Sequence, residues 1–153
     1  MTTRVDYYLL DQVEPQALAY YACRLLKKAC QAGLRIYVLT DSPGQSQLMD
    51  GLLWTSSDAN FIPHALADSV EGADPLTKIC IGHELCSAQG VDQQPNFDLL
   101  VNMQTVEARQ GEHFKRVAEL VSADESHKNA ARKRYAAWRD MGADQTLHDI
   151  KLN

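Results

Sequence analysis

Residues 5–40 constrain the fold of this chain more than any other stretch. Val5–Leu10 (VDYYLL) is rich in aromatic and branched residues and predicts a strand. Glu14-Pro15 opens a helix, because proline lacks only an N–H that the first turn leaves unpaired. Leu18, Tyr21, Ala22, Leu25 and Ala29 then recur at helical spacing, while Arg24, Lys27, Lys28 and Gln31 point elsewhere. Gly33 supplies a C-cap glycine, and Leu34–Thr40 (LRIYVLT) predicts a second strand. Strand, helix and strand at this spacing form a βαβ unit, with parallel strands and a right-handed crossover.

The alternation continues. Ser42-Pro43-Gly44-Gln45 is a helix start with a capping box from Ser42 to Gln45, and that helix runs to Leu53 or Trp54. Phe61-Ile62 predicts a short strand stopped by Pro63, with Ala65–Pro75 as loop. Thr77–Ile81 (TKICI) and Asp98–Met103 (DLLVNM) predict buried strands. Val106–Gly111 reads as a short helix or a turn, and RVAELVS, ending at Ser122, as a last strand or the tail of a helix. Ser122 and Glu125 are spaced as a capping box for a final helix, Glu125–Asp140 (ESHKNAARKRYAAWRD). Asp144–Asn153 reads as a mostly polar tail. There is no internal repeat and no low-complexity segment. The expected fold class is α/β: a Rossmann-like, mainly parallel sheet flanked by helices, in a single domain over residues 1–153.

At 153 residues the chain buries enough surface to fold without a disulfide or a metal. Its net charge of −5 argues against general binding to a phosphate backbone, which a basic surface normally dominates. A local anion site remains compatible with that balance. Cys23, Cys30, Cys80 and Cys86 include no C-x-x-C pair and no histidine at finger spacing, so they read as small buried hydrophobes in a reducing compartment. The N-terminal MTTRVDYYLL lacks a signal-peptide pattern, and no apolar run approaches the ~18 residues of a membrane span. A cytoplasmic protein with no membrane partner is expected.

The phosphate chemistry usual for such a sheet is missing. The first strand-to-helix turn, Asp11-Gln12-Val13-Glu14-Pro15, has no glycine and places two carboxylates where a pyrophosphate needs bare N–H groups. The second, Asp41-Ser42-Pro43-Gly44, has one glycine only, and there is neither a Walker A sequence nor a G-x-S-x-G elbow. His83-Glu84 begins like H-E-x-x-H, but the fifth position is Ser87. His113 lies near Glu107 and Glu112 with no fixed nucleophile beside it. The expectation is no catalytic residue, no metal and no cofactor. The competing reading is a small-molecule or nucleotide-processing enzyme that uses His83, Glu84 or Cys86 in the loop after TKICI.

Two groups of side chains stand out. Lys128, Arg132, Tyr135 and Arg139 are spaced 4, 3 and 4, which puts three cations and a phenol on one helical stripe. Most such stripes are solvated faces, but in an acidic chain this one is a local departure. Trp54, Phe61 and Pro63 fall around a helix end and a strand end, which suits either an interface anchor or a core cluster.

Several segments, taken in order, resemble the chi subunit of bacterial DNA polymerase III holoenzyme, an accessory protein of the clamp loader. They are YYLLD (Tyr7–Asp11), LLW with NFIPHAL (Leu52–Trp54 and Asn60–Leu66), FDLLVNM (Phe97–Met103) and RKRYAAWRDMG (Arg132–Gly142). The resemblance implies a Rossmann-like fold with no intrinsic activity, working inside a complex that has DNA-directed DNA polymerase activity. It implies two partners and no direct contact with DNA. One is the psi subunit of the clamp loader, met around Trp54, Phe61 and Pro63. The other is the acidic C-terminal tail of single-stranded-DNA-binding protein, which ends in a phenylalanine carboxylate. Carried over by position, the tail pocket involves Val121, Lys128, Arg132, Tyr135 and Arg139. The chain departs from the pattern at Ala136, where a lysine follows the pocket tyrosine; Lys133 or Arg134, on other faces, are the substitutes. A further reading has a repair helicase recruited through the Trp54 surface.

Overall fold

The computed structural model describes residues 3–56, 64–66, 78–83, 97–105 and 114–151. Its strands are Arg4–Leu10 (β1), Ile36–Leu39 (β2), His64–Leu66 (β3), Ile79–Gly82 (β4), Leu99–Asn102 (β5), Arg116–Val121 (β6) and Asp144–Ile150 (β7). Its helices are Pro15–Gln31 (α1), Pro43–Ser56 (α2) and Glu125–Asp140 (α3). The strands form one sheet in the order β3-β4-β2-β5-β6-β1-β7, and each neighbouring pair is parallel. The fold is therefore the Rossmann-like α/β class that the sequence predicts.

The hand of the crossovers decides which face each helix covers. From β1 through α1 to β2, and from β2 through α2 to β3, the chain moves one way across the sheet. From β6 through α3 to β7 it moves the other way. Right-handed crossovers then place α1 and α2 on one face and α3 on the opposite face. The two cores confirm this. Ile36, Val38, Ile79, Ile81 and Leu120 pack with Leu18, Leu26, Met49 and Leu53, whereas Val5, Tyr7, Leu39, Cys80 and Val121 pack with Ala131 and Trp138. Alternate residues of one strand serve opposite cores, as the pleat requires. The central strands β2, β4 and β5 are buried along their whole length, which is why they read as unbroken apolar runs. Burial there pushes the Cys80 thiol up to about 11, and Cys23 is likewise buried.

The helix ends follow local chemistry. Gly33, at φ +87°, closes α1 with paired bonds from Gly33 N–H to Cys30 O (3.0 Å) and from Leu34 N–H to Ala29 O (3.1 Å). Gly142, at φ +77°, ends α3 in the same way on Arg139 and Trp138. At α2, Ser42 Oγ accepts from Gln45 N–H, but Gln45 Oε1 reaches back to Asp41 N–H at 2.7 Å, one residue earlier than a standard box.

Three sequence expectations need correction, and one open alternative is decided. The cap of α3 is Asp124, whose carboxylate accepts from His127 N–H and Ser126 Oγ; these bonds hold it below the usual carboxylate range. Ser122 is turned instead toward His127 Nδ1, with its N–H donating at 3.2 Å. Of the two readings of RVAELV, strand or helix tail, the strand holds: it is β6. Ala65 and Leu66, assigned to loop, lie in β3. The polar tail is largely β7, an edge strand beside β1 that buries little and so carries little apolar signal. The expected strand at Phe61-Ile62 and the helix or turn at Val106–Gly111 lie outside the described residues.

Candidate functional site

Two stripes on α3 differ by one residue. His127, Ala131, Arg134 and Trp138 are buried against the sheet. Lys128, Arg132, Tyr135 and Arg139 each follow one of them, about 100° further around the helix. The final helix thus has a packing stripe and, beside it, the cationic stripe seen in the sequence.

Beside α3 lies a cleft of about 560 Å³, within the size range of ligand pockets. Its lining comes from the end of β1 (Tyr7, Leu9, Leu10, Asp11), the end of β6 (Val121, Ser122), one flank of α3 (Lys128, Ala131, Arg132, Tyr135) and β7 (Leu147, Asp149, Ile150, Lys151). The floor and lower walls are mainly apolar, and charges stand on the rims. Tyr7 and Tyr135 pack with ring centroids 5.6 Å apart. The Tyr7 hydroxyl donates to Gln145 Oε1 at 2.9 Å, and Gln145 Nε2 donates to Tyr135 O at 3.0 Å. One glutamine of β7 therefore ties the Tyr7 ring to the backbone of α3 at Tyr135. Burial, followed by the nearby Glu119 carboxylate, pushes the Tyr7 phenol far above its ordinary range, so it stays a neutral donor.

The cations on the α3 rim are unevenly engaged. Arg132 donates to Asn129 Oδ1 at 2.6 Å and stands 3.9 Å from Glu125, both on its own helix and both exposed. Lys128 is half-buried and has no ion-pair partner among the described residues. Arg139 does not line the cleft; it stands beyond Tyr135, mostly exposed, 3.9 Å from Asp140. Of the five residues named from the sequence, Val121, Lys128, Arg132 and Tyr135 meet at one cleft and Arg139 lies outside it.

Arg134 is not available as a substitute cation. It is fully buried, with Nη2 3.1 Å and Nε 3.3 Å from the Glu119 carboxylate. Asn102 Nδ2 donates to the same two oxygens at 3.1 and 3.2 Å. Burial pushes the Glu119 carboxyl up, while Arg134 and Asn102 draw it back down. Lys133 is exposed on another face of α3 and does not line the cleft.

The cleft residues that the stripe could not reveal are Tyr7 of β1, Leu147 and Asp149 of β7, and Lys151 just after it. For Leu147 and Asp149 the signal is the alternation within DQTLHDI, which is masked by its polarity.

Trp54 is 55% exposed near the end of α2. Its ring lies 4.9 Å from that of His64 on β3, and His64 Nε2 is 3.2 Å from Asp50 Oδ1. Phe61 and Pro63 lie outside the described residues, as do Glu84, Cys86 and His113. His83 follows β4, where its carbonyl accepts from Gln104 Nε2 at 3.2 Å. Among the described residues no group of His, Cys, Asp or Glu is arranged to hold a metal ion. No helix there is long and apolar enough to cross a membrane.

A parallel α/β sheet whose cleft is walled by a helix flank and an edge strand, with no glycine-rich phosphate loop, defines a Rossmann-like binding scaffold. The chain belongs to the DNA polymerase III chi subunit family: residues 1–146 match the family described as DNA polymerase III chi subunit, HolC. It is 32% identical over 152 residues to the DNA polymerase III subunit chi of Pseudomonas aeruginosa, covering 98% of this chain and 97% of that one. The DNA polymerase III subunits chi of Escherichia coli and Haemophilus influenzae are 26% and 23% identical, over 89% and 98% of this chain and 90% and 99% of theirs.

Proposed function

We propose that this chain is a non-catalytic, cytoplasmic adaptor of the replicative DNA polymerase, joining the clamp loader to single-stranded-DNA-binding protein. Its α3–β7 cleft takes the acidic, phenylalanine-terminated tail of that protein through Val121, Lys128, Arg132 and Tyr135, with Arg139 contributing at longer range. Its Trp54 surface, with Phe61 and Pro63, takes the psi subunit, and a repair helicase is the alternative occupant there. The observation that carries the reading is the cleft itself, an apolar trough with Lys128 and Arg132 on its rim.

The energetics require both features. An exposed ion pair contributes only ~0.2–1 kcal/mol, and burying a phenylalanine ring contributes roughly 1.5–3 kcal/mol. Neither alone gives useful affinity. Together they give modest binding that weakens as salt screens the rim. Arg132 can grip a terminal carboxylate in a bidentate fork once it leaves Asn129 and Glu125.

The test is isothermal titration with an acidic peptide ending in Phe, at low and high salt, beside co-purification with psi. Arg132→Ala is expected to lose the peptide and keep psi, and Trp54→Ala to do the reverse. A peptide that produces no heat, or binding indifferent to salt, refutes the proposal for the cleft. Loss of both partners in both variants would instead mean misfolding, checked by circular dichroism.

A further inference from the structure

We infer that Lys151 is a further cation of this site, taking an acidic side chain of the bound tail from the wall opposite α3. The inference rests on the tail-binding reading and adds to it the strand that completes the cleft. Odd-numbered positions of β7 face α3. Gln145 bonds Tyr7 and Tyr135 there, and Leu147 and Asp149 line the cleft. His148 faces the other way, with Nε2 3.0 Å from Asp6. Strand alternation carried one step beyond β7 brings Lys151 to the α3 side, where it too lines the cleft.

Lys128 belongs to the first turn of α3, which follows directly from the C-terminal end of β6. Lys151 follows the C-terminal end of β7. Because β6, β1 and β7 are parallel, the two lysines stand at the same end of the sheet, on opposite walls. Arg139 lies at the other end of α3. An acidic stretch leaving the cleft past Lys128 therefore meets Lys151 and moves away from Arg139. Asp11 and Asp149 also line the strand wall. Asp11 comes one step past the Leu10–Ile150 pair and so stands level with Lys151, with Asp149 one strand repeat before it, and Lys151 offsets the repulsion these carboxylates exert on an acidic tail. Lys151 has no ion-pair partner among the described residues that it must first release. It also falls after the residues that match the family, so this cation is not part of the stripe carried over by position.

The experiment compares the full-length chain with Lys151→Ala, Lys151→Arg and Arg139→Ala. The probes are a peptide with several aspartates and a terminal Phe, and the same peptide with those aspartates replaced by asparagine. Lys151→Ala is expected to weaken the acidic peptide about two- to fivefold, more than Arg139→Ala does, with Lys151→Arg restoring it. Lys151→Ala should leave the asparagine peptide unaffected. Equal binding of the acidic peptide by the wild type and Lys151→Ala overturns the inference while leaving the tail site standing, as does an equal loss on both peptides. A wild-type chain that binds neither peptide overturns the tail reading, and this inference with it.

Discussion

Replacing Arg134 with methionine separates the packing stripe of α3 from its cationic stripe. The change removes a guanidinium whose Nε and Nη2 lie 3.3 and 3.1 Å from the Glu119 carboxylate, both side chains being fully buried. Among the described residues Glu119 then keeps only the two bonds from Asn102. Removing one member of a buried pair costs about 3–5 kcal/mol, because the other charge is left uncompensated. For a chain of this size that corresponds to a melting temperature lower by roughly 6–20 °C. Burial already pushes the Glu119 carboxyl up, and without Arg134 the folded protein holds its proton more tightly than the unfolded chain does. The folded state then binds more protons, so the loss grows as pH rises and is larger at pH 8 than at pH 5. Adding Glu119→Gln removes the stranded charge and keeps an acceptor for Asn102, which should recover most of the stability. Thermal and urea unfolding followed by circular dichroism measure these differences. Both variants, while folded, should bind the acidic peptide as the wild type does. If Arg134→Met melts like the wild type but loses the peptide, the guanidinium reaches the cleft and the two-stripe reading of α3 is wrong.

Burial, and then the Arg134 charge, depress the His127 imidazole below its ordinary value of 6.5, and its neutral Nδ1 accepts from Ser122 N–H. The unfolded chain therefore takes up that proton first. The His127 contribution is fully present above about pH 6.5 and is lost as pH falls toward the depressed folded value. The wild-type melting temperature should drop more between pH 7.5 and pH 5.5 than that of His127→Gln, and parallel curves would exclude the residue as the cause. Leu147→Asp puts a carboxylate in the trough at a position 56% exposed on an edge strand. It should weaken peptide binding roughly ten- to hundredfold by removing the seat of the ring, and leave stability within about 0.5 kcal/mol. Fluorescence anisotropy with a labelled peptide decides this, since unchanged affinity removes β7 from the site.

The sequence makes the sheet legible where strands are buried on both faces, because IYVL, ICIG and LLVN cannot be read as anything exposed. It gives the bounds of α3 for a different reason. Heptad-like alternation of small and charged residues ends at a glycine that adopts positive φ. It fails at β7, whose polar residues satisfy an edge. It also misjudges Arg134, which looks like one more surface cation between Lys133 and Tyr135. The clue lies in two places at once. Glu119 is a lone charge in the buried run VAELV, and Arg134 is a lone charge on the stripe that includes Ala131 and Trp138. Each is costly alone, and a charge in a strand together with its opposite on a packing stripe amounts to a pair. Trp54 remained ambiguous between core and interface because periodicity does not distinguish a helix end that packs inward from one that projects. The structure leaves more than half of it exposed.

The position of the cleft follows from the crossover hand and two widths. A helix is about 10–12 Å across and neighbouring strands are about 4.8 Å apart, so one helix covers roughly two strands. On its face of the sheet, α3 has to carry the chain from β6 over β1 to β7. Its packing stripe lies over β6 and β1, where Val5, Tyr7, Val117 and Val121 are buried with Ala131 and Trp138. No second helix follows along β7 among the described residues, and Leu147 and Asp149 stay uncovered. A trough between the helix flank and the edge strand is the necessary result, floored by the side chains of β1. The stripe one residue beyond the packing stripe is then the part of α3 that overhangs this trough. Lys128, Arg132 and Tyr135 occupy that position by helical geometry alone. On a helix flanked by others, the same 4-3-4 spacing would be a solvated face or an interhelical contact. Beside a bare edge strand it becomes one wall of a cleft, with cations above an apolar floor. The cleft therefore depends on the polar strand at the end of the sheet as much as on the basic helix before it.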